Sequence, residues 1–227
     1  MRILFFMLFF MICNSLSIFS KENADNFLMG GVVKSDVWEI DRKLNLEYFN
    51  GNVYFKNYYH ELKANSAVYN HNIHKWNALG RVYIKRNLDS ESYAETFCDM
   101  AEYMEDTQIA KMDSKHKKLK LIYYTNNEEA YTAYSVKAVV EALDRRVTFY
   151  DKFELYASSI SVFSDKAVYD DYEKTFDMTL NPYAMGYDEK YDLYLKGDEL
   201  LLLKNDETLY AYNNVYGLIK PRKEDQQ

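Results

Sequence analysis

The stretch LNLEYFNGNVYFKNYYHELKANSAVYNHNIHKWNALGRVYIK, residues 44–84, decides the fold. Apolar and polar side chains alternate on both sides of Asn50-Gly51, which is the pattern of two half-buried strands. Asn-Gly favours a type I′ hairpin turn, because both central residues of that turn need φ > 0. Such a turn pairs Phe49 with Asn52. In this register the apolar face of the predicted hairpin carries four residues: Leu46, Tyr48, Val53 and Phe55.

Weaker copies of this unit recur along the chain. Ala167-Val168-Tyr169-Asp170 matches Ala67-Val68-Tyr69-Asn70 at an offset of 100, and Phe176 then falls on Trp76. Strand centres are predicted every 28 to 37 residues, at Val53, Val82, Leu119, Val147, Leu180 and Val215. A recurrence of this kind predicts a stack of two-strand units, each of which cannot bury its apolar face alone.

The amino-acid composition also favours an all-β fold. The chain of 227 residues has 23 Tyr and 13 Phe but only 2 Pro and 7 Gly, and aromatic residues fit the half-buried surface of a sheet. The formal net charge is -7, so nucleic acid is a poor partner, because phosphates demand clustered Lys and Arg.

Three segments depart from simple alternation. Residues 87–115 mix spacings of two and of three to four, and we interpret them as strand, turn and strand rather than helix. Residues 131–143 fit two short strands or a helix. The parity of Trp76 does not match a two-residue hairpin, so a bulge or a longer connection is expected before it.

The N-terminus has the layout of a secretory signal peptide. Arg2 precedes an apolar run from Ile3 to Cys13, and small residues follow. We therefore expect a signal peptide at 1–20, a linker at 21–35, a β-domain at 36–218 and a charged tail at 219–227. Cleavage would leave Cys98 as the only cysteine. An uncleaved membrane anchor is the alternative.

No set of residues predicts catalysis or metal binding. The four histidines, at 60, 71, 74 and 116, are the neutral-pH bases, and none is paired in sequence with a nucleophile. His71 and His74 lie three apart in a polar turn that supplies no further metal ligands. We therefore expect no enzyme activity, no catalytic residue, no metal and no cofactor.

Residues 44–84 resemble the OstA-like lipopolysaccharide-transport family. The resemblance is carried by Gly51-Asn52-Val53, then by Leu62, Ala64, Ala67 and Tyr69, and then by Ala78, Gly80 and Val82. It covers 36–104 well and 143–218 more faintly, where Arg146 replaces the glycine before Val147. The family includes LptA-type periplasmic bridge proteins and LptC-like partners anchored in the inner membrane.

The resemblance implies a half-open antiparallel β-jellyroll whose apolar interior holds acyl chains of lipopolysaccharide or a similar glycolipid. It also implies a periplasmic location, end-to-end strand addition to other OstA-like domains, and a bridge between inner and outer membranes. The residues expected to line the lipid-binding groove are Leu46, Tyr48, Val53, Phe55, Leu62, Ala64, Val82, Ile84, Val147, Phe149, Leu155 and Ala157.

Three other interpretations remain at this point. An LptC-like protein would retain residues 3–19 as an anchor. An outer-membrane barrel would need longer lipid-facing strands with aromatic girdles. A secreted structural β-repeat protein would have a closed core and no lipid, and apolar alternation alone does not separate a core from a groove.

Overall fold

The computed structural model describes residues 31–187, 190–204 and 208–221, which form antiparallel strands joined by turns and short loops. No helix occurs within these ranges, and the predicted all-β antiparallel jellyroll is confirmed. Accordingly, the described part of the chain contains no helix that is long and apolar enough to cross a membrane. The predicted signal peptide lies outside the described residues.

The strands are β1 (Val32–Lys34), β2 (Val37–Asp41), β3 (Leu46–Lys56), β4 (His60–Asn70), β5 (Lys75–Asn87), β6 (Ser92–Met104), β7 (Ile109–Asp113), β8 (Leu119–Thr125), β9 (Glu128–Ser135), β10 (Lys137–Glu141), β11 (Arg146–Ala157), β12 (Ile160–Asp170), β13 (Thr175–Thr179), β14 (Tyr183–Tyr187), β15 (Tyr191–Lys196), β16 (Glu199–Leu203), β17 (Thr208–Tyr212) and β18 (Tyr216–Pro221). β1 lies within the segment assigned to a linker, and β18 extends beyond residue 218.

Hydrogen bonding arranges these strands in two layers. Six long strands, β3, β4, β5, β6, β11 and β12, contribute one half to each layer. Layer 1 consists of residues 37–41, 46–50, 66–70, 75–79, 100–104, 109–113, 137–141, 146–150, 166–170, 175–179, 199–203 and 208–212, in that spatial order. Layer 2 consists of residues 32–34, 53–56, 60–64, 82–87, 92–98, 119–125, 128–135, 153–157, 160–164, 183–187, 191–196 and 216–221.

The chain passes between the layers at corners where the backbone is left-handed. In β3 the corner is Gly51-Asn52, with φ of 74° and 47°, and in β5 it is Gly80-Arg81, with φ of 76° and 49°. Asn52 Nδ2 donates a hydrogen bond to Asp36 Oδ2 at 2.9 Å, which fixes the first corner to the neighbouring strand. The register between paired strands shifts at these positions, so alternation restarts beyond each corner.

The predicted hairpin turn at Asn50-Gly51 is wrong. β3 runs through this dipeptide, and Phe49 pairs with Ala67 of β4 instead of with Asn52. The physical reason is that Asn-Gly accepts φ > 0 equally well in a corner and in a type I′ turn.

The predictions for the other irregular segments are confirmed. Residues 87–115 contain β6, a turn and β7, as predicted. Residues 131–143 contain the end of β9 and all of β10, which settles the choice between strands and a helix. A turn at residues 71–74 precedes Trp76 and is longer than two residues, as its parity required.

The corner glycines give a test of this architecture. Gly80 has φ of 76°, and a Cβ there would lie 2.5 Å from Asn65 Nδ2. We expect Gly80→Ala to lower the free energy of unfolding by about 1–2 kcal/mol, because alanine is strained in this conformation. Urea denaturation measures the change.

Gly217→Ala is the matched control. The nearest atom to a Cβ at Gly217 is 3.9 Å away, an ordinary contact. The control should change stability by less than about 0.5 kcal/mol. Equal losses in both variants would show that the corner does not depend on glycine.

Candidate functional site

The space between the layers is lined by rows of apolar side chains that cross every strand. In layer 1 the row next to the corners consists of Trp38, Phe49, Ala67, Ala78, Ala101, Met112, Ala138, Phe149, Ala167, Met178, Leu200 and Ala211. Neighbouring strands lie about 4.8 Å apart, so this row is roughly 50 Å long. No charged residue interrupts it.

Layer 2 presents a facing row. It consists of Val33, Phe55, Leu62, Ile84, Thr96, Leu121, Ala133, Leu155, Val162, Ala184, Leu195 and Gly217. Thr96 is its one hydroxyl side chain. Most residues of both rows belong to a single hydrophobic core, so the two layers bury one another's inner faces.

Ten of the twelve residues predicted to line a groove belong to this interior. Seven are buried in the core: Val53, Phe55, Leu62, Ala64, Val82, Phe149 and Leu155. Ile84, Val147 and Ala157 are half-buried against it. Whether any of them contacts lipid stays a prediction.

Leu46 and Tyr48 do not share the predicted face, and this part of the prediction is wrong. Both are half-exposed and alternate with Phe49, which is 2% exposed and faces the interior. The corner residues Gly51 and Asn52 leave the alternation in step, so Phe49, Val53 and Phe55 all face inward. The predicted two-residue turn switched the inward position from even-numbered to odd-numbered residues, and this placed Leu46 and Tyr48 on the inner face.

The interior is packed. Leu119, Ala133, Val162, Met178 and Leu200 have no exposed surface at all. Side chains of the two layers therefore fill the space that an acyl chain would occupy, and a lipid could enter only if the layers moved apart.

An aromatic seam closes the side opposite the corners in the second half of the chain. We define the seam as Tyr123, Tyr131, Tyr169, Phe176 and Lys204. Tyr131 of layer 2 meets Phe176 of layer 1 edge-on, with ring centroids 5.5 Å apart. Lys204 Nζ, at the turn end of layer 1, lies 3.7 Å from the ring centroid of Tyr123 in layer 2. Cation–π and ring contacts thus join the layers at their mouth.

The surroundings of the seam also change the pKa of two of its tyrosine hydroxyls. Burial raises the pKa of Tyr131 well above its ordinary value. Burial acts in the same direction on Tyr123, but hydrogen bonds with Ser92, Thr125 and Lys204 outweigh it and lower the pKa of that hydroxyl. The ammonium group of Lys204 is therefore coupled to Tyr123 electrostatically as well as by packing.

Both ends of the interior reach strands that pair on one side only within the described residues. At one end, β1 and β2 each pair with β3, and Trp38 is 57% exposed although it belongs to the inner row. At the other end, β18 pairs with β15 and exposes Tyr216 and Ile219. The apolar lining thus continues to two open sheet edges.

The histidine and cysteine side chains of the described residues do not form a cluster in the interior. His71 and His74 bind Glu47 and Asp106 at exposed turns, at 2.7 Å and 2.9 Å. Burial raises the pKa of Cys98 to about 12, so its thiol stays protonated at neutral pH. The described ranges hold no cluster of three or more His, Cys, Asp or Glu side chains that could bind a metal ion.

Comparison with known proteins gives a structural likeness but no match in sequence. No family model matches the sequence. No curated protein matches it either. Among solved structures, the chain is similar to LptH from Pseudomonas aeruginosa, described as "the LptA homologous periplasmic component of the conserved lipopolysaccharide transport device". The match has 11% identity, a TM-score of 0.22, and covers 84% of this chain and 95% of that one.

A likeness with a TM-score of 0.22 carries no argument, and the interior must be judged by its own residues.

Several interior residues were not predicted as site residues. Phe49 was missed because the predicted hairpin turned it outward. Phe153 and Met178 have the inward parity of their strands but were not selected. Tyr169 and Phe176 carried a usable signal, since they repeat Tyr69 and Trp76 at the offset of 100. Nothing in the sequence indicated that Tyr131 would meet them.

His60 makes stability depend on pH. Burial, together with the charge of Arg86 opposite it in β5, lowers the pKa of His60 to about 4. The unfolded chain then binds more protons than the folded one between pH 6.5 and 4, so stability is lost as pH falls through this window. We expect a loss of about 2–3 kcal/mol between pH 7 and 4.5.

Urea denaturation at the two pH values measures this loss, and His60→Gln should remove most of it. His116→Gln is the control, because His116 is exposed in a loop. The assignment fails if His60→Gln keeps the pH dependence of the wild-type protein.

Proposed function

We propose that this chain is a non-enzymatic periplasmic lipid-transport protein. It binds acyl chains of lipopolysaccharide or a similar glycolipid between its two layers and forms one link of a bridge between inner and outer membranes. The observation that carries this proposal is the pair of uninterrupted inner rows, which cross twelve strands and end at open edges. The resemblance of residues 44–84 to OstA-like proteins supports the class of lipid.

Loading requires the layers to part at the aromatic seam while the corners hold them together. An acyl chain then replaces contacts between Tyr131, Phe176 and their neighbours with contacts to itself. Each buried methylene contributes about 0.8 kcal/mol, which offsets the lost side-chain contacts. Alanine at three successive positions of the layer 1 row, Ala67, Ala78 and Ala101, leaves room for a chain beside the larger residues.

Partner domains bind by strand addition at the open ends. In layer 2, β18 has hydrogen-bonding groups available along the edge away from β15, and β1 has them along the edge away from β3. In layer 1, β17 and β2 form the two ends in the same way. Pairing between two such edges would make the inner rows of successive domains continuous. Exposed Trp38 at one end and Ile219 at the other would be buried by this contact.

The packed interior favours a second candidate, a secreted structural β-repeat protein without lipid. Side chains with no exposed surface, such as Leu119 and Met178, are what that function requires. Retention of residues 3–19 would instead make the protein an anchored LptC-like component, which N-terminal sequencing of the mature chain distinguishes.

Photo-cross-linking tests the lipid site. A photoreactive phenylalanine analogue replaces Tyr131, which faces the interior, or Tyr150, which faces outward from layer 1 on β11. We expect irradiation in cells to attach glycolipid at position 131 at least tenfold more than at position 150. Equal yields, or no lipid at 131 by mass spectrometry, would favour the structural candidate.

A second test locks the seam. Tyr123→Cys with Lys204→Cys allows a short bismaleimide to join the two layers at their mouth. We expect the cross-linked protein to lose lipid capture, while each single variant treated with the same reagent retains it. Undiminished capture by the locked protein would mean that lipid does not enter through the seam.

A further inference from the structure

The outer face of layer 2 carries a row of aromatic side chains that the lipid function does not use. We define the outer strip as the outward row from Lys34 to Tyr216, one residue per strand. Aromatic residues recur along it, among them Tyr54, Tyr83, Phe97, Tyr134, Phe163 and Tyr183. The matching outward row of layer 1 holds only two aromatic residues, Tyr150 and Tyr212. The enrichment in aromatic side chains is therefore specific to the outer face of layer 2.

The rings in the second half of the strip form a continuous array. Phe163 and Tyr183 stack with centroids 4.8 Å apart. Tyr156, which lies beside the strip on β11, contacts both Tyr134 and Phe163 edge-on, each at 5.9 Å. Successive rings lie on neighbouring strands about 4.8 Å apart, close to the repeat of a chain of hexose rings.

Two adjacent clefts, both shallow and widely open to solvent, lie along this array. The first, of about 410 Å³, is lined by Lys120, Glu129, Thr132, Tyr134, Glu154 and Tyr156. The second, of about 310 Å³, is lined in part by Lys152, Glu154, Phe163, Asp165, Asn181 and Tyr183. Glu154 separates them and belongs to both, so one extended ligand can occupy the two clefts.

The lining selects a chemical class. Aromatic faces pack against the C–H faces of sugar rings, and carboxylate and amide groups such as Glu129, Glu154 and Asn181 bind sugar hydroxyls. These groups already pair with Lys118, Thr132 and Asp165, but an acyl chain that covered them would exclude water and offer them no hydrogen bond. Nucleic acid would meet the carboxylates of Glu129, Glu154 and Asp165, which repel phosphates.

We propose that the outer strip binds an oligosaccharide across these two clefts. Lys120 and Lys152 also allow a glycan that carries scattered acidic groups. The sugar could belong to a glycolipid held by the same protein or to a separate polysaccharide of the cell envelope. Binding at the strip does not depend on lipid in the interior.

Isothermal titration calorimetry with the full chain tests this proposal. The probes are the lipid-free saccharide released from lipopolysaccharide by mild acid, chitotetraose and maltohexaose. We expect at least one of them to bind the wild-type protein. Binding of the released saccharide alone assigns the strip to a glycolipid, whereas binding of chitotetraose or maltohexaose assigns it to a separate polysaccharide.

Tyr156 and Tyr150 provide a matched pair of variants, since they are 39% and 38% exposed on opposite outer faces of β11. Tyr156→Ala should weaken binding at least tenfold, and Tyr156→Phe, which keeps the ring, should stay within threefold of wild type. Tyr150→Ala should bind like the wild-type protein. Failure of all three probes to bind, or wild-type affinity of Tyr156→Ala, would overturn the proposal.

Discussion

The left-handed corner is the constraint on which the rest of the structure depends. At four corners an Asp or Asn side chain receives a hydrogen bond from the side chain 16 residues later: Asp36 with Asn52, Asn65 with Arg81, Asp165 with Asn181, and Asp198 with Asn214. At a fifth, Asp99 accepts from the backbone N–H of Lys115 at 2.8 Å. Each corner moves the chain between layers. Without it, the long strands would form one flat sheet with no interior.

Sequence reasoning reached the class and the repeat because alternation and the offset of 100 survive in single residues, such as Tyr69 and Tyr169. It could not place Leu46 and Tyr48, because Asn-Gly satisfies a hairpin and a corner with the same φ values. The sequence could not distinguish a closed core from a lipid-binding groove either, because Phe55 faces inward in both. The clefts of the outer strip were missed because they join residues from several strands.

The two halves of the chain use the same repeated aromatic pair differently. Tyr69 and Trp76 donate hydrogen bonds to Glu105 of their own layer, at 3.0 Å and 3.1 Å. Their counterparts Tyr169 and Phe176 take part in the seam with the opposite layer. Closure of the interior therefore differs along its length, and the second half holds the contacts that any opening must break.

The corners also determine where the chain tolerates changes in length. In five repeats a residue with φ > 0 lies nine positions after the residue that precedes the layer 1 segment, from Asp36 to Asn45 and from Asp165 to Lys174. Repeats nevertheless differ in length, and the extra residues lie in layer 2 and its connections, such as 88–91 and 114–118. An insertion in a strand of layer 1 would shift its register against both neighbours, whereas one in the connections of layer 2 only lengthens a loop. Layer 1 thus has a constant width, and variation in the depth of the interior comes from layer 2 alone.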